Sequence, residues 1–409
     1  MGSAGDVHPL VGLGEALAAR GHQVTVLTNA YFQSLIERVG LGYAELSTEE
    51  EFHRLANHPD LWHPRKAFFY IARHGIHRFM RRQYELIAEL VVPNQTVVVS
   101  SCLGFGARIA HDKLGLPLIT VHLQPAALWS TYRSPKLYGL ATADGIPRWL
   151  KRFQYWLGET ILLDPSLCGE TNKFRAELGL PPVRNITSRW WHSPQCVVGM
   201  FPGWYAPPQP DWPPNTVLSG FPLWDERGVS QVPTEVNNFI EDGDPPIVFT
   251  PGSAMMFGRE FFKSAADACR MLRRRAILLT RFGEQIPSGL PEGVRHVDYI
   301  PFSQVLPRAA ALVHHGGIGS TAQALAAGIP QLVMPMAHDQ PDNAARVKRL
   351  GVGTWIKPSA FRGRNVARQL EYLLGSTEVA SSCRQTAARF DGADPLAKAC
   401  DVVERAGLS

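Results

Sequence analysis

Leu312-Val-His-His-Gly-Gly-Ile-Gly-Ser-Thr-Ala-Gln-Ala-Leu-Ala-Ala-Gly-Ile-Pro-Gln-Leu-Val-Met-Pro-Met-Ala-His-Asp-Gln340 reads as a buried strand, a glycine-rich turn, a helix, a second strand and a polar tip. His314 and His315 end the first strand, and Gly316, Gly317 and Gly319 let the backbone turn tightly. Ser320 and Thr321 open the helix, whose free N–H groups and positive dipole end favour a phosphate. Past the second strand, Asp339 and Gln340 offer acceptors and donors suited to sugar hydroxyls. One loop for a diphosphate and another for a hexose describe a nucleotide-sugar site.

Outward from this segment the chain keeps an α/β rhythm. Pro246-Ile-Val-Phe-Thr250, Ala276-Ile-Leu-Leu-Thr280, Val294-Arg-His-Val-Asp298, Ala311-Leu-Val-His314 and Gln331-Leu-Val-Met334 form one series of short apolar strands. An earlier series holds Gln23-Val-Thr-Val-Leu-Thr28, Thr96-Val-Val-Val-Ser100 and Pro117-Leu-Ile-Thr-Val-His122, with helices predicted over 10–20 and 106–114. Apolar strands bounded by helices imply parallel sheets covered on both faces. Between the series, residues 202–246 are rich in proline and tryptophan and end in Glu241-Asp-Gly-Asp244, a linker composition. At 409 residues the chain suits two domains rather than one core. The expected organisation is an amino-terminal domain over 1–225, a linker over 226–245, a donor domain over 246–390, and a last helix over 391–409 packing back toward the first domain.

The 312–340 segment resembles the donor-binding signature of the UDP-glycosyltransferase superfamily. It is most similar to the bacterial and sterol-glycosyltransferase type, with His-His-Gly-Gly before the helix and Asp-Gln after the second strand. The resemblance implies an α/β GT-B fold, two Rossmann-like domains facing each other across a cleft, with ligands at the carboxyl ends of both sheets. It also implies roles for single residues. His315 would bond a phosphate, and Ser320, Thr321 and the Gly317 backbone would complete the diphosphate cradle. Asp339 and Gln340 would hold the sugar hydroxyls. Ser253, in Phe249-Thr-Pro-Gly-Ser253, matches the family's Gly-Ser loop beside the phosphates. Tyr299 is the candidate for stacking on the nucleobase, with an ordinary core aromatic as the alternative. Gln323 stands where many relatives place a glutamate on the ribose. Glutamine can still bind a hydroxyl, but the change opens the choice between UDP and TDP, with UDP-glucose the favoured donor and a TDP-sugar allowed.

Gly2-Ser-Ala-Gly-Asp-Val-His-Pro9 resembles a second family loop, whose aspartate serves as general base on the acceptor hydroxyl. Asp6 holds that position. An attacking hydroxyl must lose its proton as the new bond forms, and an unperturbed aspartate, with a pKa of about 3.9, needs a raised pKa or a late role. The alternative makes Asp6 an N-cap for a helix opening near His8-Pro9. His8 is the alternative base, since plant-type relatives use a histidine in this loop. In the family a central strand precedes the loop, and the expectation is that the sheet here lacks it.

No acidic pair carries metal-ligand spacing, so a metal site is not expected and no cofactor beyond the nucleotide sugar is called for. Attack on C1 opposite the leaving group implies inversion. There is no G-x-S-x-G elbow for covalent catalysis, and neither glycine loop fits the G-x-G-x-x-G of a dehydrogenase. Aromatic residues crowd the first domain. Phe69, Trp129 and Tyr132 are the candidates to line an apolar acceptor pocket for a sterol, polyketide, phenolic or lipid hydroxyl. Two other classes stay open: a non-catalytic GT-B homologue that binds or scaffolds, and a GT-B isomerase of a nucleotide sugar.

No run approaches the roughly 18 apolar residues of a membrane span, and no secretory or myristoylation pattern opens the chain. Six scattered cysteines without a C-x-x-C pair read as reduced thiols of a cytoplasmic protein, monomer or dimer. The net charge of +5 gathers partly at residues 65–82, where arginines and histidines interleave with aromatics. That stretch is read either as a solvated basic face or as a lip that touches anionic lipid. Nucleic acid is not an expected partner, because no binding module accompanies the charge.

Overall fold

The computed structural model describes residues 2–226, 228–256 and 258–407. Met1, Arg227 (within the expected linker), Phe257, Leu408 and Ser409 (the end of the expected last helix) lie outside the described residues. By internal contacts the chain divides into two units. One holds residues 9–222 and 394–409, and the other holds 2–8 and 223–393.

The second unit is a six-stranded parallel sheet. Its strands are β7 (Ile247–Thr250), β8 (Ala276–Leu279), β9 (Val294–Val297), β10 (Ala311–His314), β11 (Gln331–Val333) and β12 (Gly353–Trp355). They lie in the order β12-β11-β10-β7-β8-β9, with Ala311 opposite Ile247 and Leu312 opposite Gln331. This is the doubly wound order whose crevice opens where the winding reverses, between β7 and β10. β7, β8 and β10 are buried along their whole length, which is why they read as uninterrupted apolar runs. The 226–245 stretch is not a free linker. Its helix Thr234–Glu241 puts Val236 and Ile240 into the same apolar cluster as Val248, Ile277 and Leu312.

The first unit carries β1 (Thr25–Asn29), β2 (Gly42–Ser47), β3 (Val98–Ser101), β4 (Leu118–His122), β5 (Cys196–Gly199) and β6 (Thr216–Leu218). All its pairings are parallel, but β1 and β2 make a sheet separate from β3-β4-β5-β6. Leu27 of β1 and Val98 of β3 pack on one apolar cluster, so the two sheets share a core although no ladder joins them among the described residues. At the end of β1, Thr28 Oγ1 and Asn29 Oδ1 are buried without partners. The helix Pro395–Gly407 belongs to this unit, held by Arg20, which donates to Asp401 at 2.7 Å and Glu404 at 2.8 Å.

The first helix runs Ala4–Ala19, six residues earlier than the apolar pattern predicts. Asp6 is therefore not the cap of a helix opened by Pro9. It sits in the first turn and takes the Ser3 backbone N–H at 2.9 Å, half of a capping box. The basic stretch at 65–82 is helical from Ala67 through a π turn into the helix His77–Leu90. Arg78 and Arg81 are paired there with Glu51 and Glu177 at the surface, so two of its cations already have acidic partners. No helix among the described residues is long and apolar enough to cross a membrane, and none of the six cysteines is paired.

Candidate functional site

The loops that follow β7 and β10 meet at the switch point of the second unit. His315, the first residue past β10, lies so close to two glycines that a Cβ at Gly252 would come within 2.8 Å of its ring and one at Gly317 within 2.6 Å. Gly252 also holds φ +106, a conformation side chains rarely adopt. The ring is thus wedged between the two loops. Burial, reinforced by the neighbouring His338, lowers its pKa to about 4, so it is neutral and carries one N–H donor at neutral pH. Its Nδ1 is buried and without a partner. His314 is already satisfied: Gly316 N–H donates to its Nδ1 at 3.1 Å, so its proton is on Nε2, facing Gln331 Oε1 at 3.1 Å. It locks the turn and is not a ligand group.

Gly317 has φ −61, a conformation open to any residue, so an alanine there tests the His315 contact alone. Gly317→Ala is expected to cost roughly 1–3 kcal/mol of stability and weaken donor binding about tenfold by pushing the imidazole out. Combining it with His315→Ala should recover the stability and leave the affinity low, a non-additive pair read by thermal melts and calorimetry.

Gly317 also caps the helix Ile318–Ala327, whose first turn presents free backbone N–H groups toward the same crevice. Ser320 is half-buried in that turn. Thr321 does not fit the cradle role: it is fully buried and donates its hydroxyl to the Gly317 carbonyl at 3.0 Å. Gln323 is buried, and its Nε2 donates to the Leu223 carbonyl at 3.1 Å. Ser253 is exposed on the Gly252 loop.

Asp339 and Gln340 separate into two tasks. Gln340 is buried, and its Oε1 accepts from Met336 N at 2.7 Å and Ala337 N at 3.1 Å, so it shapes the loop rather than meeting a sugar. Asp339 is raised to about 7 by burial, against a hydrogen bond from Asn343, with the charge of Asp6 adding to the rise. Asn343 escaped the sequence reading. Its Nδ2 donates to Asp339 Oδ2 at 2.6 Å and to the Gly316 carbonyl at 2.9 Å, tying the loop after β11 to the turn after β10. Its place four residues after Asp339 on one helix was the available signal.

Residues 2–8 count with the second unit, and both candidate bases lie there. Ser3 N and Oγ both donate to Asp6 Oδ2, at 2.9 and 3.2 Å, so Oδ1 is the oxygen open to a proton. His8 is buried. Its Nε2 lies 3.2 Å from Glu226 Oε1, and its ring stands edge-on to Trp224 at 5.2 Å. Burial alone would raise Glu226, but bonds from His8 and Ser230 and the nearby Arg281 guanidinium hold its pKa below the ordinary carboxylate value. No motif marked Glu226. Tyr299 is half-buried, donates to the Asp225 carbonyl at 2.8 Å, and has the Arg281 guanidinium 5.0 Å from its ring centre. Leu223, Glu226 and His338 all take positive φ (50°, 64° and 58°), strain of the kind that gathers at functional sites.

In the first unit, Trp129 packs on Tyr155 at 5.2 Å and Tyr132 lies under the Arg148 guanidinium at 3.5 Å. Phe69 is on a separate helical run, edge-on to Phe68 at 5.9 Å. The structure adds a buried relay at the end of β4. Trp191 Nε1–H donates to His192 Nε2 at 3.0 Å, so His192 carries its proton on Nδ1 and donates to His122 Nε2 at 3.0 Å. The His122 proton must then be on Nδ1, which is buried with no partner. Burial holds His192 near a pKa of about 4 and His122 well below the ordinary value, so both rings are neutral.

Two family models match. Residues 1–132 fit the glycosyltransferase family 28 N-terminal domain, and residues 277–402 fit the erythromycin biosynthesis protein CIII-like C-terminal domain. An O-mycaminosyltylonolide 6-deoxyallosyltransferase of Streptomyces fradiae is 31% identical over 89% of this chain and 86% of its own length. A sterol 3-beta-glucosyltransferase of Pichia angusta is 24% identical over 95% of this chain, which spans 32% of that protein. The solved glycosyltransferase of kitacinnamycin shares the fold, with a TM-score of 0.74 at 20% identity, over 99% of this chain and 96% of that one. With the doubly wound second unit and its wedged histidine already in place, the level and extent of the Streptomyces match settle the family: the chain belongs to the UDP-glycosyltransferase superfamily of GT-B fold.

Proposed function

We propose that this glycosyltransferase is inverting and metal-independent, moving a hexose from a nucleotide diphosphate sugar to a hydroxyl of an apolar acceptor. The observation that carries the reading is His315, wedged between Gly252 and Gly317 beside a helix amino terminus. The acceptor oxygen attacks C1 and the bond from C1 to the diphosphate oxygen breaks. The electron pair leaves with the nucleotide diphosphate, and the acceptor proton passes to Asp6 Oδ1. The neutral His315 N–H and the first helical N–H groups meet the charge that develops on the leaving group, the task a cation performs in other enzymes. Ser320 and Ser253 would add hydroxyls to that cradle, Tyr299 would face the base, and Asp339 would accept from the sugar. On the acceptor side, Trp129 and Tyr132 would supply apolar surface.

UDP-glucose is the favoured donor. A TDP-linked 6-deoxyhexose is the second reading, favoured by Gln323 in place of a ribose-binding glutamate and by the sugar in the Streptomyces relative's name. A sterol or polyketide alcohol is the acceptor class that both relatives' names support. The test is release of UDP or TDP from each donor with and without a panel of such alcohols, and with chelator added. Acceptor-dependent release that survives the chelator is expected. Saturable nucleotide binding with no release would favour the non-catalytic homologue, and release without acceptor would overturn transfer.

A further inference from the structure

In the first unit, the helix Arg148–Gly158 and the π turn Glu159–Leu163 are polarised the wrong way round for water. Inward go Lys151, only 2% exposed, Tyr155 and Glu159, the last accepting from Thr187 Oγ1 at 2.8 Å and Ser188 N at 2.7 Å. Outward go Trp149, Phe153 and Trp156, which are 70%, 49% and 55% exposed, followed by Ile161 at 59% and Leu162 at 54%. The spacing of the first three places them on one face. Burying a lysine while two tryptophans face outward is unfavourable in water, and it becomes reasonable where the medium beyond that face is apolar.

The charge around the face selects the medium. Between Tyr132 and Leu162, Arg133, Lys136, Arg148 and Arg152 are exposed, and Asp144 is the one exposed acid among these described residues. A second copy docking through the same face would set these cations against their equals. An anionic surface would attract them. We propose that the Arg148–Leu163 segment is an interfacial membrane-docking element, its aromatic stripe seated at headgroup depth of an anionic bilayer and its basic rim on the phosphates. This surface is distinct from the 65–82 stretch, where Phe79 and Met80 are buried and Arg78 and Arg81 are paired with Glu51 and Glu177. Docking here would bring the enzyme to the layer in which an apolar acceptor dissolves, but binding itself does not depend on the proposed chemistry.

The test is co-sedimentation of the full chain, at low and high salt, with vesicles of phosphatidylcholine alone and of phosphatidylcholine mixed with phosphatidylglycerol. The expected result is salt-sensitive binding to the mixed vesicles with a blue shift of tryptophan emission. Trp149→Ser with Trp156→Ser should weaken it at least about tenfold, and Arg133→Glu with Arg152→Glu by a similar factor. All four side chains are exposed, so circular dichroism and melting should match the parent. No sedimentation of the folded parent overturns the proposal, as does equal binding by the double-tryptophan variant. A parent dimer that the tryptophan variant converts to monomer, without vesicle binding, assigns the face to self-association instead. Equal binding to both vesicle types overturns the anionic selectivity.

Discussion

Asp6→Asn is expected to lower kcat by roughly 10²–10⁴-fold, while the dissociation constant for the nucleotide changes by less than about threefold. The substitution isolates the proton acceptor because the amide oxygen can still take the Ser3 N–H and hydroxyl bonds that now go to Asp6 Oδ2. What is lost besides basicity is a negative charge in the first turn of the helix Ala4–Ala19, about 0.3–1 kcal/mol of helix stabilisation. A fold defect therefore cannot imitate a catalytic one. The competing base is His8. Its Nε2 faces Glu226, so a basic nitrogen would have to be Nδ1, with Glu226 acting as the positioning carboxylate. Steady-state kinetics on Asp6→Asn, His8→Asn and Glu226→Gln, with calorimetry of UDP on each, separate the two. If Asp6→Asn keeps its kcat while His8→Asn and Glu226→Gln lose theirs together, the base is His8.

The strand-turn-helix-strand core of the second unit was legible because its strands are short and wholly buried and its turns are punctuated by glycine. The Ala311–His314 strand agrees residue for residue. β2, β5, β6 and β12 were missed. They are three to six residues long. β2, β6 and β12 are largely half-exposed, so neither an apolar run nor a clean alternation announces those three, and β5 is a mostly buried run of only four residues, too short to stand out. Strand order was not legible at all, since periodicity gives an element's type and not its neighbours. The glycine-rich turn and the 335–340 loop lie where the pattern puts them, but the direction in which each polar side chain spends its hydrogen bonds was not legible. Thr321, Gln323 and Gln340 stand where a ligand group would, and each turns at least one polar atom to the backbone, at Gly317, Leu223 and Met336–Ala337. Glu226 was out of reach for another reason: its link to His8 joins distant segments that no local spacing connects.

Asp339→Asn is expected to make the free protein more stable and the enzyme worse. Burial and the charge of Asp6 hold the folded Asp339 at about 7, far above an ordinary aspartate. A carboxyl raised in this way favours the protonated native state. Its ionisation costs nothing below the unfolded pKa of about 4, costs more as the pH climbs, and costs its full amount above about 7. Asparagine keeps the bond from Asn343 and removes the charge. At pH 8 it should therefore gain about 2 kcal/mol, after discounting for solvent at a half-buried group, or roughly 4–8 °C in Tm. At pH 4 the gain should vanish. The same carboxylate is the acceptor proposed for the sugar hydroxyls, and a charged acceptor bond is worth about 1.5–3 kcal/mol, so kcat/KM at pH 8 should fall about 10–100-fold. Melting curves across pH, paired with donor kinetics, read both halves. A variant that melts lower at pH 8, or at the same shifted temperature at pH 4, would show that the Asp339 charge is not strained in the free protein. One that gains stability and transfers sugar normally would remove Asp339 from the donor site while leaving its burial intact. The strain has a use only if a sugar relieves it: hydroxyl donors lying against the carboxylate would lower its pKa, so donor binding should release a fraction of a proton near pH 7.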